Sequence, residues 1–413
     1  MDKKDRKKPE LLLPASDIDV FRTAVEYGAD AVYIGGESYS LRAPAKNFSR
    51  EEMAQAVSYA HSRGVKVYVT SNIYARQDDM PGLRRYFEGL RDIKPDAVLI
   101  SDPGVFALFS EVCPDIPVHI STQANNTNAG TFNFWYKQGV RRVVAARELS
   151  LEEISAIHRE IPEDMEIEAF VHGAMCISYS GRCLLSAALT GRSANKGECT
   201  HPCRWGYSLV EETRPGEYMD VIEDNRGTYI MNSRDLCMIS HIPDLVDAGV
   251  MSLKVEGRMK KSLYVAGVGR AYRRAIDDYF DDPAKYEANK AEYESEVGLC
   301  THRPFGTGFF YGDPGASGQI YDTATYINEA VYIGSIVDVF DDGTVTFFQK
   351  NKFSLGDTVE IMLPDGENEV HIVEKIEDEE GNPMESAPHA KQFIRVKIGN
   401  TKARPLAVIR KRK

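Results

Sequence analysis

The chain has 413 residues, 43% of them hydrophobic, which is enough for a large core and, by length, for more than one domain. A formal net charge of −12 argues against indiscriminate nucleic-acid binding, which needs clustered Lys and Arg, but leaves room for a local basic surface. No apolar run reaches membrane-spanning length and the stretch from Met1 to Lys8 lacks the apolar segment of a signal peptide, so a cytoplasmic protein with reduced thiols and no membrane partner is expected.

From Leu11 onward, short apolar strands alternate with amphipathic helices. Strands are expected at residues 11–13, 31–34, 65–69, 97–100, 118–120, 143–145, 166–171 and 250–255, with helical stretches between them. Eight such strands over about 270 residues fit an α/β fold of the (β/α)8 TIM-like barrel type, whose buried strands read as continuous apolar runs. A doubly wound open sheet is the competing arrangement.

In a barrel the chemistry sits just past the C-terminal ends of the strands. That rule selects Arg42 after the second strand, Asn72 and Tyr74 after the third, Asp102 after the fourth, and Gln123 and Asn125 after the fifth. It adds Arg147 after the sixth strand, His172 after the seventh, and Glu256 and Arg258 after the eighth. Arg42, Arg147 and Arg258 are candidate clamps for carboxylate or phosphate, because the planar guanidinium matches those groups bidentately. His172 and Glu256 are candidate acid–base groups, and Asn72, Gln123 and Asn125 offer neutral amides to orient a polar ligand. For any one of these polar residues a helix cap or solvated loop is an equally good reading, as is a simple Glu256–Arg258 pair.

The seventh strand enters a window holding four of the seven cysteines. Six residues separate Cys176 from Cys183, fifteen separate Cys183 from Cys199, and three separate Cys199 from Cys203. Structural zinc favours tighter Cys pairs, whereas an iron–sulfur cluster needs several thiolates brought to one point, so a cluster, most simply [4Fe–4S], is expected on these four, against a set of buried packing thiols or a disulfide pair. Asn232 to Asp235 read as a helix cap leading into a helix over 236–248; Cys237 at its start is the alternative fourth ligand, since helix N-termini lower thiol pKa. Cys113 and Cys300 read as ordinary packing thiols.

A long helix is expected from Ser262 to about Asp281, followed by a charged segment and a Gly-aromatic loop over Arg303–Gly312, read as a rigid turn more readily than a stacking platform. The Gly and Pro residues from Gly312 to Gly318 mark a boundary. From Val331 the pattern becomes strands broken by Asp-Gly and Gly-Asn turns, as in a small antiparallel β-barrel. The expected organisation is a catalytic domain at 10–315, with its cysteine loop at 172–204, and a C-terminal β-barrel domain at 325–413. Two basic groups stand out as possible RNA contacts: the run Arg410–Lys413, otherwise a solvated tail, and Lys260, Lys261, Arg270, Arg273 and Arg274.

Glu168, Phe170, Gly173, Ala174, Met175, Cys176, Gly181, Cys183, Leu185 and Ser186 resemble, position for position, the defining pattern of the peptidase U32 family, and Thr228–Asp235 and Lys254–Arg258 resemble its other marks. The resemblance covers nearly the whole chain and is strongest to the branch that hydroxylates the wobble uridine of transfer RNA. It implies a tRNA uridine hydroxylase that forms 5-hydroxyuridine, with tRNA as substrate, an iron–sulfur cluster, prephenate as the small carboxylated co-substrate, and a paralogous U32 subunit as a possible partner. Against this stand the collagenase-like peptidase that the family name implies and a non-catalytic RNA-binding subunit. The sequence contains neither H-E-x-x-H nor G-x-S-x-G, which weighs against the peptidase.

Overall fold

The computed structural model describes residues 7–41, 47–175, 185–192, 194, 197–204, 209–210, 218–219, 223–224, 227–228, 232–320 and 326–413. Arg42, Cys176 and Cys183 lie outside the described residues. Among the described residues no helix is long and apolar enough to cross a membrane.

Eight parallel strands close into a barrel: β1 (Glu10–Pro14), β2 (Ala31–Gly35), β3 (Lys66–Ser71), β4 (Ala97–Ile100), β5 (Val118–Ile120), β6 (Arg142–Val144), β7 (Glu166–Gly173) and β8 (Val250–Val255). Each pairs with the next, and β8 pairs with both β7 and β1, which completes the ring and excludes the open sheet. The intervening helices are α1 (Ile18–Glu26), α2 (Arg50–His61), α3 (Met80–Ile93), α4 (Pro103–Val112), α5 (Ala129–Lys137), α6 (Leu151–Glu160) and α7 (Ile242–Asp247), with α8 (Ser262–Asp281) and α9 (Pro283–Gly298) after β8. Local chemistry starts several of them. Asp17 caps α1, Ser49 and Ser150 form reciprocal capping boxes with Glu52 and Glu153, and Asp102 accepts from Val105 N at 2.9 Å. Asp102 is therefore a helix cap.

The barrel axis is charged as well as apolar. Arg142 donates to Glu10 at 2.5 Å and to Glu166 at 2.8 Å, and Lys254 donates to Glu168 at 2.6 Å. Burial alone would raise the Glu10 carboxyl, but the charge and hydrogen bonds of Arg142 outweigh it and hold that pKa below the ordinary range. Unpaired charges would be costly in this interior, so the alternation of signs is what permits them.

The helix expected over 236–248 is shorter. Asp235–Cys237 form a strand antiparallel to the end of β7, and the α-helix begins only at Ile242. The cause is burial: Arg303 donates to Asp235 at 2.8 and 2.9 Å, and this ion pair fixes the residue inside the wall instead of at a helix cap. The rigid-turn reading of the Gly-aromatic loop fits the structure, with Phe305 stacked on His302 at 4.0 Å and Phe310 buried.

The C-terminal region is a curled antiparallel sheet of eight strands: β9 (Ala330–Val339), β10 (Thr344–Phe348), β11 (Thr358–Met362), β12 (Glu369–Ile372), β13 (Lys375–Glu377), β14 (Pro383–Met384), β15 (Phe393–Lys397) and β16 (Val408–Arg412), ordered β12-β11-β16-β9-β10-β15-β13-β14. It has its own core around Ile333, Phe347 and Ile394, and a third apolar cluster of Tyr27, Leu263, Ala266, Tyr332, Met362 and Val408 joins it to the barrel. Tyr27 Oη donates to Met362 O at 2.6 Å and accepts from Val408 N at 3.0 Å.

The basic run Arg410–Lys413 is not a free tail: Arg410, Lys411 and Arg412 belong to β16 and pair with carboxylates. Arg410 is fully buried, donating to both carboxylate oxygens of Glu296 at 2.7 and 3.0 Å and to Glu360 at 2.5 Å. Lys411 pairs with Asp357 and Arg412 with Glu360. Most of the basic group after β8 is similarly engaged: Arg270 pairs with Glu296, Arg273 with Asp30 and Asp277, and Arg274 with Glu292, Lys260 donates to Thr301 O, and Lys261 has no ion pair among the described residues. Spacing in the sequence could not reveal these partners, which come from distant elements.

Candidate active site at the barrel mouth

The mouth holds a cavity of about 70 Å³, room for a carboxylate-sized group. Asn72, Gln123, Arg147, Glu256 and Arg258 all line it, together with Lys254, Tyr33, Thr70 and Phe170. Five residues selected one strand at a time thus converge. Lys254 is the member that the sequence reading missed. Its signal was the polar alternation Ser252, Lys254, Glu256, which places one face of β8 inside the barrel.

Arg258, only 4% exposed, is held by neutral acceptors: Ser40 Oγ at 2.6 Å, Thr70 Oγ1 at 2.9 Å and Asn47 Oδ1 at 2.9 Å. A Cβ on Gly35 would stand 2.2 Å from its Nη2, so glycine at the end of β2 is what lets the guanidinium lie there. Arg147 stacks on Phe170 at 4.0 Å, approaches Glu256 at 3.7 Å and donates to Ala174 O at 3.3 Å. Its Nε is buried without a hydrogen-bond partner among the described residues, a donor left available beside the cavity. Lys254 lies 4.7 Å from the Tyr33 ring and 5.3 Å from that of Phe170, and burial lowers its pKa against the opposing pull of Glu168. Asn72 donates to Gln123 Oε1 at 3.0 Å and to Ser121 Oγ at 3.3 Å, so the two amides form one polar wall. The cavity therefore offers three cationic groups, one carboxylate and two oriented amides, a composition suited to a small anion.

Of the other selected residues, Asp102 is a helix cap, Tyr74 Oη donates to Gln123 O at 2.9 Å, and two stand elsewhere. Asn125 is exposed in a left-handed conformation, φ 62°, closing a short turn. His172 is buried against α8 and the Gly-aromatic loop, with Tyr264, Tyr272 and Phe305 at 6.0, 5.5 and 5.3 Å. A register shift in the β7–β8 pairing between Phe170 and His172 breaks the alternation, so Phe170 faces the cavity and His172 does not. Burial pulls the His172 pKa down to about 3 and keeps the ring neutral. Gly173, at φ 109°, follows directly; a Cβ there would stand 2.4 Å from Glu256 O.

Of the cysteines, Cys199 and Cys203 flank a turn beside His201, and His201 N donates to Cys199 Sγ at 3.4 Å. Both thiols are partly exposed, unlike Cys113, which is buried and donates to Phe87 O at 3.1 Å, and Cys300, which is buried against α8. The donor chemistry of Cys199 and Cys203 fits a soft-metal cluster. Cys237 does not fit the reason given for it: it lies on a strand, not at a helix N-terminus, and burial pushes its thiol up to about 11.

Residues 16–320 match Peptidase family U32 and residues 328–410 match the Peptidase family U32 C-terminal domain. The chain is 40% identical to tRNA hydroxylation protein P1 of Bacillus subtilis over 98% of its own length and 96% of that protein's. It is 38% identical to tRNA hydroxylation protein P of Escherichia coli, with 92% of each chain covered. To the 23S rRNA 5-hydroxycytidine C2501 synthase of Escherichia coli it is 36% identical over 69% of this chain and 42% of the other. With both its parts matched, the chain belongs to peptidase family U32.

Proposed function

We propose that this protein is an RNA-modifying enzyme that hydroxylates the wobble uridine of transfer RNA to 5-hydroxyuridine. The observation that carries this reading is end-to-end similarity to proteins named for tRNA hydroxylation, joined by a relative named for hydroxylating ribosomal cytidine. Uridine and cytidine share the C5 position at which such an oxygen would be placed.

In this reading the mouth cavity takes the carboxylate of a small co-substrate of the prephenate type. Arg147 and Arg258 supply charge-assisted hydrogen bonds, Lys254 adds positive potential from the floor, and the Asn72–Gln123 pair orients the polar remainder. Glu256, beside Arg147, is the one carboxylate lining the cavity among the described residues and is the group positioned to hold or move a proton there. Cys176, Cys183, Cys199 and Cys203 would hold the iron–sulfur cluster, which supplies one-electron chemistry when bound. The peptidase reading has less behind it, because the sequence contains neither H-E-x-x-H nor G-x-S-x-G and, among the described residues, no His or Cys lines the mouth cavity.

Deleting the gene in the native host and measuring wobble uridines by mass spectrometry tests the reading. Loss of 5-hydroxyuridine-type modification is expected; unchanged modification, with no paralogue left to cover the loss, would defeat it. Iron and sulfide quantification after anaerobic purification tests the cluster separately, and cleavage of unfolded collagen abolished by Cys183→Ser would promote the peptidase.

A further inference from the structure

Of the basic residues that looked suited to RNA, Arg270, Arg273, Arg274, Arg410, Lys411 and Arg412 pair with carboxylates, whereas Lys261 faces a groove together with other cations. A groove of about 660 Å³ runs between the barrel and the C-terminal sheet, lined by Arg22, Lys261, Lys350 and Lys391. The three lysines have no ion-pair partner among the described residues. Two carboxylates also line the groove, Asp17 and Asp19, and the Asp17 carboxylate is occupied in capping α1 through Asp19 N and Val20 N. Apolar surface lies beside the charge: Phe348 is 50% exposed and Val337 40% exposed, both on the groove wall. Phe348 is paired across the β10–β15 ladder with Phe393, ring centroids 5.0 Å apart, and Arg395 is exposed two residues further along β15. Cations around a half-exposed aromatic pair on a sheet is the composition on which single-stranded nucleic acid stacks.

The position of the groove gives the composition a use. Asp17 and Lys261 stand just before α1 and α8, on the loops that follow β1 and β8, and Ser16 Oγ donates to Lys260 O at 3.4 Å across those loops. Both loops belong to the mouth face of the barrel, and the loop that carries Lys261 into the groove carries Arg258 into the cavity.

We infer that this interdomain groove is the docking surface for a single-stranded segment of the RNA substrate, with Lys261, Lys350 and Lys391 on phosphates and Phe348 under a base. The inference rests on the RNA-modifying reading and adds to it where the RNA lies. Charge complementarity selects this occupant over an apolar protein segment, which would not require the lysines.

Fluorescence anisotropy of a labelled tRNA with the full-length protein, across a salt series, tests it. Lys350→Ala/Lys391→Ala should weaken binding tenfold or more and flatten the slope of log affinity against log salt by about 0.7 per lost single-strand phosphate contact. Phe348→Ala should weaken binding with the slope unchanged, because stacking releases no counterions. Thermal melting of each variant at the wild-type temperature separates these effects from misfolding. Wild-type affinity and slope in all variants, while the deletion strain still lacks 5-hydroxyuridine, would overturn the groove and leave the RNA-modifying reading in place.

Discussion

Arg258 and Arg410 are both fully enclosed arginines near the end of a β-strand, yet their surroundings assign them opposite work. Arg410 meets two carboxylates from different parts of the chain, Glu296 of α9 and Glu360 of β11, and ties the C-terminal sheet to the barrel. Arg258 is steadied by hydroxyls and an amide beside a cavity. An arginine clamped by anions is structural, because its charge is already spent. Hydroxyl and amide acceptors hold a guanidinium in one orientation beside a cavity, and an oriented guanidinium is what an anion-binding site requires.

The largest consequence of that contrast is in stability. Arg410→Ala removes the buried cation shared by Glu296 and Glu360, leaving them only Arg270 and Arg412 among the described residues, and should lower unfolding free energy by about 3–5 kcal/mol in chemical denaturation. Arg258→Ala should cost less, since Ser40 and Thr70 already bond each other at 2.7 Å. Equal losses from the two variants would erase the distinction.

At the mouth the order reverses. Arg147→Ala should weaken binding of a dicarboxylate such as prephenate by about 1.5–3 kcal/mol, tenfold or more, in calorimetry. Arg410→Lys, assayed where it remains folded, should leave that affinity unchanged.

His172 gives a smaller, pH-dependent effect. Its folded pKa is lowered to about 3 from an ordinary 6.5, so the stability it confers is fully present above 6.5 and is lost as pH falls from 6.5 towards 3. Each such group contributes a slope of about 1.4 kcal/mol per pH unit in that window. His119, whose pKa burial also lowers, adds a decline of the same sign. His172→Phe should flatten the acid side of a stability–pH curve; an unchanged curve would mean that the ring is not buried neutral. The smallest effect belongs to Asn125→Ala, expected to cost about 1 kcal/mol in stability, because alanine tolerates the left-handed backbone less well than asparagine, and to be neutral for ligand binding, since the side chain faces solvent.

The barrel was legible because its strands are apolar runs at regular spacing, and the rule that chemistry follows strand ends located Asn72, Gln123, Arg147, Glu256 and Arg258. That rule failed at His172, where a β-bulge turned the side chain outward, a one-residue event that periodicity cannot register. It overlooked Lys254 because a lysine inside a strand was counted with the apolar run, although the alternation with Ser252 and Glu256 was present. Helix capping explained Asp102 and misled at Asp235, whose buried partner Arg303 lies 68 residues away. The same distance effect hid the partners of the C-terminal basic run, since Glu296 is 114 residues from Arg410. Local patterns carried the architecture, and long-range charge pairing decided which polar residues remained available.

The most direct test is complementation. A strain lacking the gene would be supplied with the wild type or with Arg147→Ala/Arg258→Ala, matched for protein level, and 5-hydroxyuridine in its bulk tRNA quantified by mass spectrometry. Restoration by the wild type and none by the double variant is the expected result. Full restoration by the double variant would contradict the assignment of the barrel mouth as the active site.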